Sequence, residues 1–275
     1  MEHVELYRFI RTTIYLMQRI TAMTYISNMT EGFGFSSLGI RPLSELIDVY
    51  HLYEASDRRD KVFALLGMSS DNPSAEGFVP DYQMPWSMLL SRVVNMLFGD
   101  AIKVSTWDDE EIAIIQGKCR IFGKVTTVDD LPHAGQDHFF YVVSIHDNHT
   151  VYCQSLAPVQ CGDICCFIDG ASLPSIVRPC EDYCRLIVSA LHKSVSGPTT
   201  DTQMASVDTL MVWNLNQGPS QPAGNTFDLE GFLSNHGLEN RNAEKTRVIS
   251  PKHKRVANLR KMLEIMGRQV TAPSS

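Results

Sequence analysis

The sequence predicts an α+β protein: an N-terminal helical layer, a small antiparallel β-barrel or sandwich-like module, and a C-terminal helix. Three observations predict it. Apolar residues recur at spacings of three and four through the first hundred positions. Near Ile102 that period gives way to short apolar runs punctuated by Gly, Pro and Asp, and a helical stripe returns after Ser250.

In the helical part, Val4, Tyr7, Ile10, Ile14, Met17 and Ile20 mark one face of a long first helix, broken by Gly32, Gly34 and Gly39. A second helix starts at Pro42, with Leu43, Leu46, Ile47, Tyr50 and Tyr53 on one face. A third, short helix is expected to have Asp57 as its cap, Asp60 near its positive end, Val62, Leu65 and Leu66 inward, and Gly67 as its stop. The most regular helix opens at Pro85 and carries Trp86, Leu89, Leu90, Val93, Val94 and Leu97 before Gly99.

Strands are expected at 111–116, 119–127, 138–145, 150–154, 163–168, 175–178 and 183–190, with Asp147 and Asn148 making a hairpin turn. The Ser-, Thr-, Gln-, Gly- and Pro-rich stretch after Lys193 reads as a linker with one ordered patch around Leu210 to Trp213. The last helix is expected to use Ser250 as cap, Pro251 as first residue, Val256, Leu259, Leu263 and Met266 as stripe, and Gly267 as stop. The chain thus divides into a helical region (1–100), a β-rich module (101–193), a flexible linker (194–240) and a basic tail (241–275).

Composition sets outer limits. The chain has 275 residues, 44% of them hydrophobic and 20% charged, enough to bury a sizeable core. No apolar run approaches the roughly 18 residues that span a bilayer, and Glu2, Glu5 and Arg8 interrupt the start in the wrong order for a secretory signal. These features predict a cytoplasmic protein with no membrane partner. Its seven cysteines then read as reduced thiols. The net charge is −7, but nine basic residues against Glu244 and Glu264 give residues 241–275 a local +7, which leaves −14 on residues 1–240. An acidic body argues against nucleic acid, and the run Lys252-His253-Lys254-Arg255 reads as a solvated helix face, with a nuclear import signal as its alternative.

The motifs of common catalysis are missing. The sequence has no Gly-x-Ser-x-Gly elbow, no phosphate-binding Gly-x-x-x-x-Gly-Lys-Ser/Thr loop and no Gly-x-Gly-x-x-Gly fingerprint, and its nine histidines show no metal-ligand spacing. Cys161, Cys165, Cys180 and Cys184 could supply four thiolates to zinc, but the pairs enclose three residues rather than two, and neighbouring Cys165 and Cys166 would face opposite sides of a strand. Packing as small hydrophobes is the better account, so no metal and no cofactor are expected.

Two separated stretches carry a family resemblance. Asp57-Arg58-Arg59-Asp60-Lys61-Val62-Phe63-Ala64-Leu65-Leu66-Gly67-Met68, followed by Val79-Pro80-Asp81-Tyr82, resembles the segment that follows the N-terminal domain of fungal heterokaryon incompatibility (HET) domain proteins. Gly162-Asp163-Ile164-Cys165-Cys166-Phe167-Ile168-Asp169-Gly170-Ala171, with Pro174-Ser175-Ile176-Val177-Arg178-Pro179, is similar to the β-rich C-terminal region of the same proteins. The resemblance covers roughly residues 40 to 190. The chain departs from the family pattern at Arg58, where Pro is usual, and at Ser189-Ala190-Leu191-His192-Lys193, where a Gly-Glu-Cys-Tyr-Val-His-Gly-like stretch is usual. The HET domain itself, with its Trp-Gly and Cys-Ile-Asn-Gln motifs, is missing from the sequence.

The resemblance therefore implies the accessory region of a self/non-self recognition protein, from a truncated paralogue, a split gene or a fragment. It implies a protein partner, namely a HET or other effector domain on the same or another chain. Asp57, Arg59, Asp60, Lys61, Asp81, Tyr82, Gly162, Asp163 and Arg178 are the candidate structural or partner-contact residues. Read from the residues alone, Asp57 and Asp60 satisfy a helix terminus, Arg59 or Lys61 pairs with nearby carboxylates, and Tyr82 is buried by its ring and tied by its hydroxyl. No catalytic residue is assigned. The alternative is an enzyme with an active site between the helical and β-rich parts.

Overall fold

The computed structural model describes residues 41–51, 55–71, 78–129, 138–155, 157–191, 204–216, 227–236 and 249–267. The expected first helix at Val4 to Ile20, and Tyr53 of the second, lie outside them. Five helices are described: α1 (Leu43–Tyr50), α2 (Asp60–Leu66), α3 (Trp86–Phe98), α4 (Leu229–Asn235) and α5 (Lys252–Gly267). Eight strands complete the architecture: β1 (Lys103–Thr106), β2 (Ile112–Asp129), β3 (His138–Ser144), β4 (Thr150–Ser155), β5 (Ile164–Ile168), β6 (Ser175–Pro179), β7 (Cys184–Val188) and β8 (Ser206–Asn214).

The α+β class holds, but the expected barrel or sandwich is corrected to one mixed sheet in the order β4-β3-β2-β5-β6-β7-β8, with β1 beside β2 and β8 also paired to β2. All its ladders are antiparallel except β7 with β8. The reason is β2. Two short strands were expected on either side of Gly117-Lys118, yet the chain stays extended through them for 18 residues. A side chain at Gly117 would place its Cβ 2.8 Å from Ile102 Cγ2, and one at Gly123 would lie 2.3 Å from the Val143 carbonyl oxygen, so both glycines let neighbouring strands close in. Register assigns β1 and β5 to one edge of β2, and β8 and β3 to the other, because Cys119 pairs with both Ile168 and Val207 while Gly123 pairs with both Ser144 and Cys165.

The largest core joins the parts that the sequence divides at residue 100. Leu43, Leu46, Val62, Leu65, Leu90, Val94 and Phe98 from α1 to α3 pack with Ile115, Ile121, Ile164, Ile168, Met211 and, from α5, Met262 and Met266. A second cluster on the other side of the sheet gathers Val125, Phe140, Val142, Cys165, Ile176 and Ile187. Neighbouring Cys165 and Cys166 belong to different clusters, as strand alternation requires. The expected linker contains two whole elements of regular structure: β8, which includes the Leu210 to Trp213 patch, and α4, whose Leu229 and Leu233 cover Ile112, Leu210 and Val212.

Helix ends are secured differently from expectation. Pro42 and Pro85 precede α1 and α3 and offer no capping side chain, so distant carboxylates accept the first-turn N–H groups: Asp71 Oδ2 from Leu43 at 2.7 Å and Asp108 Oδ1 from Ser87 at 2.9 Å. Gly67 follows α2 in a right-handed conformation and is therefore no left-handed stop. Gly99, by contrast, ends α3 at φ +74°. It faces Gly170 (φ +96°) so closely that a Cβ on Gly170 would lie 2.6 Å from the Phe98 carbonyl oxygen. In α5 the buried face is Arg255, Leu259, Met262 and Met266, while Leu263 is 46% exposed. Leu259 and Met266 of the expected stripe are thus buried, while Arg255 and Met262 take the inward places expected of Val256 and Leu263, on a helix whose first-turn acceptor is the Pro251 carbonyl.

Candidate functional site

The two stretches that carry the family resemblance divide into a surface corner and a buried ion pair. At the corner, Asp57 is not the cap of α2. Its Oδ1 accepts the Arg59 backbone N–H at 3.0 Å in a local turn, and both its oxygens take the Arg59 guanidinium, at 2.8 and 2.6 Å. That guanidinium holds the Asp57 carboxyl at about 2, below its ordinary value. Arg59 also donates to the backbone carbonyls of Tyr82 and Met84, which binds the 57–61 segment to the 79–82 segment. The return contact is the Tyr82 hydroxyl, which donates to Asp60 Oδ1 at 2.5 Å, while the Tyr82 ring meets Phe63 edge-on at 5.3 Å. Tyr82 remains 49% exposed, so the expected burial of its ring is corrected: Phe63 and the Arg59 guanidinium, 5.6 Å from the ring centre, cover it only in part. Asp81 closes its own turn by accepting the Gln83 N–H at 2.8 Å.

Lys61 faces the other way. Its ammonium pairs with Glu111 just before β2, and both side chains are largely buried. Arg58 stands 3.5 Å from the other Glu111 oxygen and donates to the Asp108 carbonyl at 2.6 Å. Since Asp108 also accepts the Ser87 N–H of α3, and Trp86 Nε1 donates to the Glu110 carbonyl at 2.8 Å, the loop before β2 is fastened to both α2 and α3. Arg59 is therefore a half-buried brace at the surface corner, and Lys61 a buried brace to the loop before β2.

The second stretch contributes a buried bidentate pair. Arg178 on β6 donates from Nε to Asp163 Oδ1 at 2.8 Å and from its terminal nitrogen to Oδ2 at 2.9 Å, and Asp163 also accepts the Gln160 N–H at 2.8 Å. Gly162 supplies the φ of +96° that turns the chain into β5, and its N–H donates to the Val125 carbonyl at 2.9 Å. This pair lies in the sheet module, with Arg178 on β6 and Asp163 just before β5.

Three further ionic features had no signature in the motifs. Asp48 on α1 is buried; its Oδ2 accepts the N–H and the hydroxyl of Ser189, and burial pushes its carboxyl up to about 7. Arg255, which the sequence places in a solvated basic run, is buried and paired with Asp182 at 2.6 Å and with Glu230, so it anchors α5. Burial likewise pushes the thiols of Cys165 and Cys184 well above their ordinary value and that of Cys153 up to about 12, while a hydrogen bond with Cys119, together with burial, raises that of Cys166. Among the described residues no group of three or more His, Cys, Asp or Glu is placed to hold a metal ion.

Between α1 and the sheet, beside Asp48, Ser155 and Leu191, there is a space of about 10 Å³. That is about the size of one water. No described helix is long and apolar enough to cross a membrane. No family model matches the chain, no curated protein matches it, and no solved structure matches its fold.

Proposed function

We propose that the chain is a non-catalytic accessory module of the HET type, which binds or restrains an effector domain on the same or another chain in fungal self/non-self recognition. One observation carries this reading. The two halves of the first family-like stretch, Asp57 to Met68 and Val79 to Tyr82, interlock through Arg59 and Tyr82 into a braced corner whose outer face is partly exposed. Charged groups held in fixed directions at a surface give specificity to a protein contact. The remaining family-like residues serve structure: Asp163 and Arg178 satisfy each other, and Gly162 sets the turn beside them.

The test is binding of the full chain to a HET domain supplied separately, by calorimetry, with Tyr82→Ala and Arg59→Ala as variants. Association that both variants weaken supports the corner as the contact. Association that neither variant changes removes the corner from the interface. No association at all, across HET domains encoded beside this chain, overturns the reading.

A further inference from the structure

We propose that the cleft between α5 and the β1–β2–β8 side of the sheet binds a phosphorylated polyol, either free or as a lipid headgroup. The cleft measures about 480 Å³, the size of a small-molecule site. Lys103 of β1, Lys118 of β2 and Lys254 in the first turn of α5 all line it. Register explains their approach. Lys103 pairs with Gln116, and Lys118, two residues further along the same face of β2, pairs with Asp208 of β8. Among the described residues none of the three ammonium groups has an ion pair or a side-chain hydrogen bond.

The other charges at the cleft are largely spoken for. Arg255 is neutralised by Asp182 and Glu230, and Asp169 lies 3.4 Å from Arg120. Asp208 is left as the one acid facing three lysines. The excess of positive charge stands out because residues 1–240 carry −14, and the N-terminal end of the 16-residue α5 adds its own positive pole to the wall. Ser250 and Asn258 also line the cleft and, with Asp208, offer partners for alcohol groups. Among the described residues that line the cleft none is aromatic, so they offer a nucleobase no ring to stack on. Charge for phosphate, polar groups for hydroxyls and the lack of a stacking surface together select a phosphorylated polyol.

Two arms test the proposal and distinguish its sources. The full chain is titrated with inositol hexakisphosphate and with fructose bisphosphate by calorimetry at low salt, and is floated with phosphatidylcholine vesicles with or without phosphatidylinositol bisphosphate. One-to-one binding that weakens with salt is expected, because exposed charges are screened. The double variant Lys118→Gln/Lys254→Gln should lose about tenfold or more in affinity, equal to about 1.4 kcal/mol. Lys261→Gln, on the outer face of the same helix, should leave affinity unchanged. Binding in solution assigns a free ligand, and binding to the phosphoinositide vesicles alone assigns a headgroup. No binding in either arm, or equal losses in the double variant and Lys261→Gln, overturns the proposal. All the substituted lysines are exposed, so loss of fold does not confuse the result.

Discussion

Asp48 on α1 accepts two hydrogen bonds from Ser189, just beyond β7: one from the backbone N–H at 2.8 Å and one from the hydroxyl at 3.0 Å. A single carboxyl oxygen thus fastens the helical layer to the sheet, while its Oδ1 has no partner among the described residues. The arrangement suits a neutral carboxyl better than a charged one.

The first prediction is a pH dependence. Burial raises the Asp48 pKa from 3.8 to about 7, so between those values the folded chain keeps a proton that the unfolded chain has released. Stability from this group is therefore greatest near pH 4 and falls as pH rises to about 7. Asp48→Asn should match the wild type near pH 4 and exceed it above pH 7, by at most about 4 kcal/mol. Unfolding temperatures of both proteins measured across that range check the sign. A wild type that is the more stable of the two at pH 8 would refute it.

The second prediction concerns Asp163 and Arg178. Removing one partner strands a buried charge, so Asp163→Asn should cost about 3–5 kcal/mol in urea unfolding. Replacing both, Asp163→Asn with Arg178→Met, should recover part of that loss, because no charge is left without its partner. Additive losses in the double variant would mean that the pair is not coupled.

A third prediction separates the two braces of the 57–61 cluster. Lys61→Met leaves the buried Glu111 with only Arg58, at 3.5 Å, and should cost about 3 kcal/mol. Arg59→Ala exposes Asp57 to water and should shift the urea midpoint far less, while raising the Asp57 pKa from about 2 toward its ordinary range. Carboxyl titration by NMR reads the second effect directly.

The fourth prediction distinguishes the observed face of α5 from the expected stripe. Met262 is buried, so Met262→Ala should cost about 2–5 kcal/mol. Leu263 is half in water, and Leu263→Ala should stay within about 0.5 kcal/mol. Thermal unfolding of the two variants decides which face docks.

The elements themselves were legible because their signals are local. Trp86 to Phe98 follows Pro85 and ends at Gly99 as its periodicity requires, and each of the separate strands from β3 to β7 overlaps an expected run. What escaped the sequence depends on partners far along the chain. Arg255 looks like one of four solvated residues until Asp182, in the bend between β6 and β7, reaches it. Asp57 has the chemistry of a cap, yet the neighbouring Arg59 competes successfully for its carboxylate. The partial change of the α5 face, which keeps Leu259 and Met266, has the same origin: Arg255, paired at its head, takes an inward place that hydrophobicity alone would give to Val256. Asp48 left a faint trace, one turn after the buried Ser44 on the same helix face.

The position of β2 has a consequence for synthesis on the ribosome. This strand is made before three of the four strands that complete its edges, and β8, which pairs with it from Ile112 to Arg120, emerges only after β3 to β7 have been translated. Until then part of one β2 edge offers open backbone groups to any other nascent chain, a hazard that late strand partners impose on folding. Long-range closure of this kind slows folding. Chaperone occupancy is therefore expected to persist until β8 has cleared the exit tunnel, and α5 can seat against the finished sheet only after that.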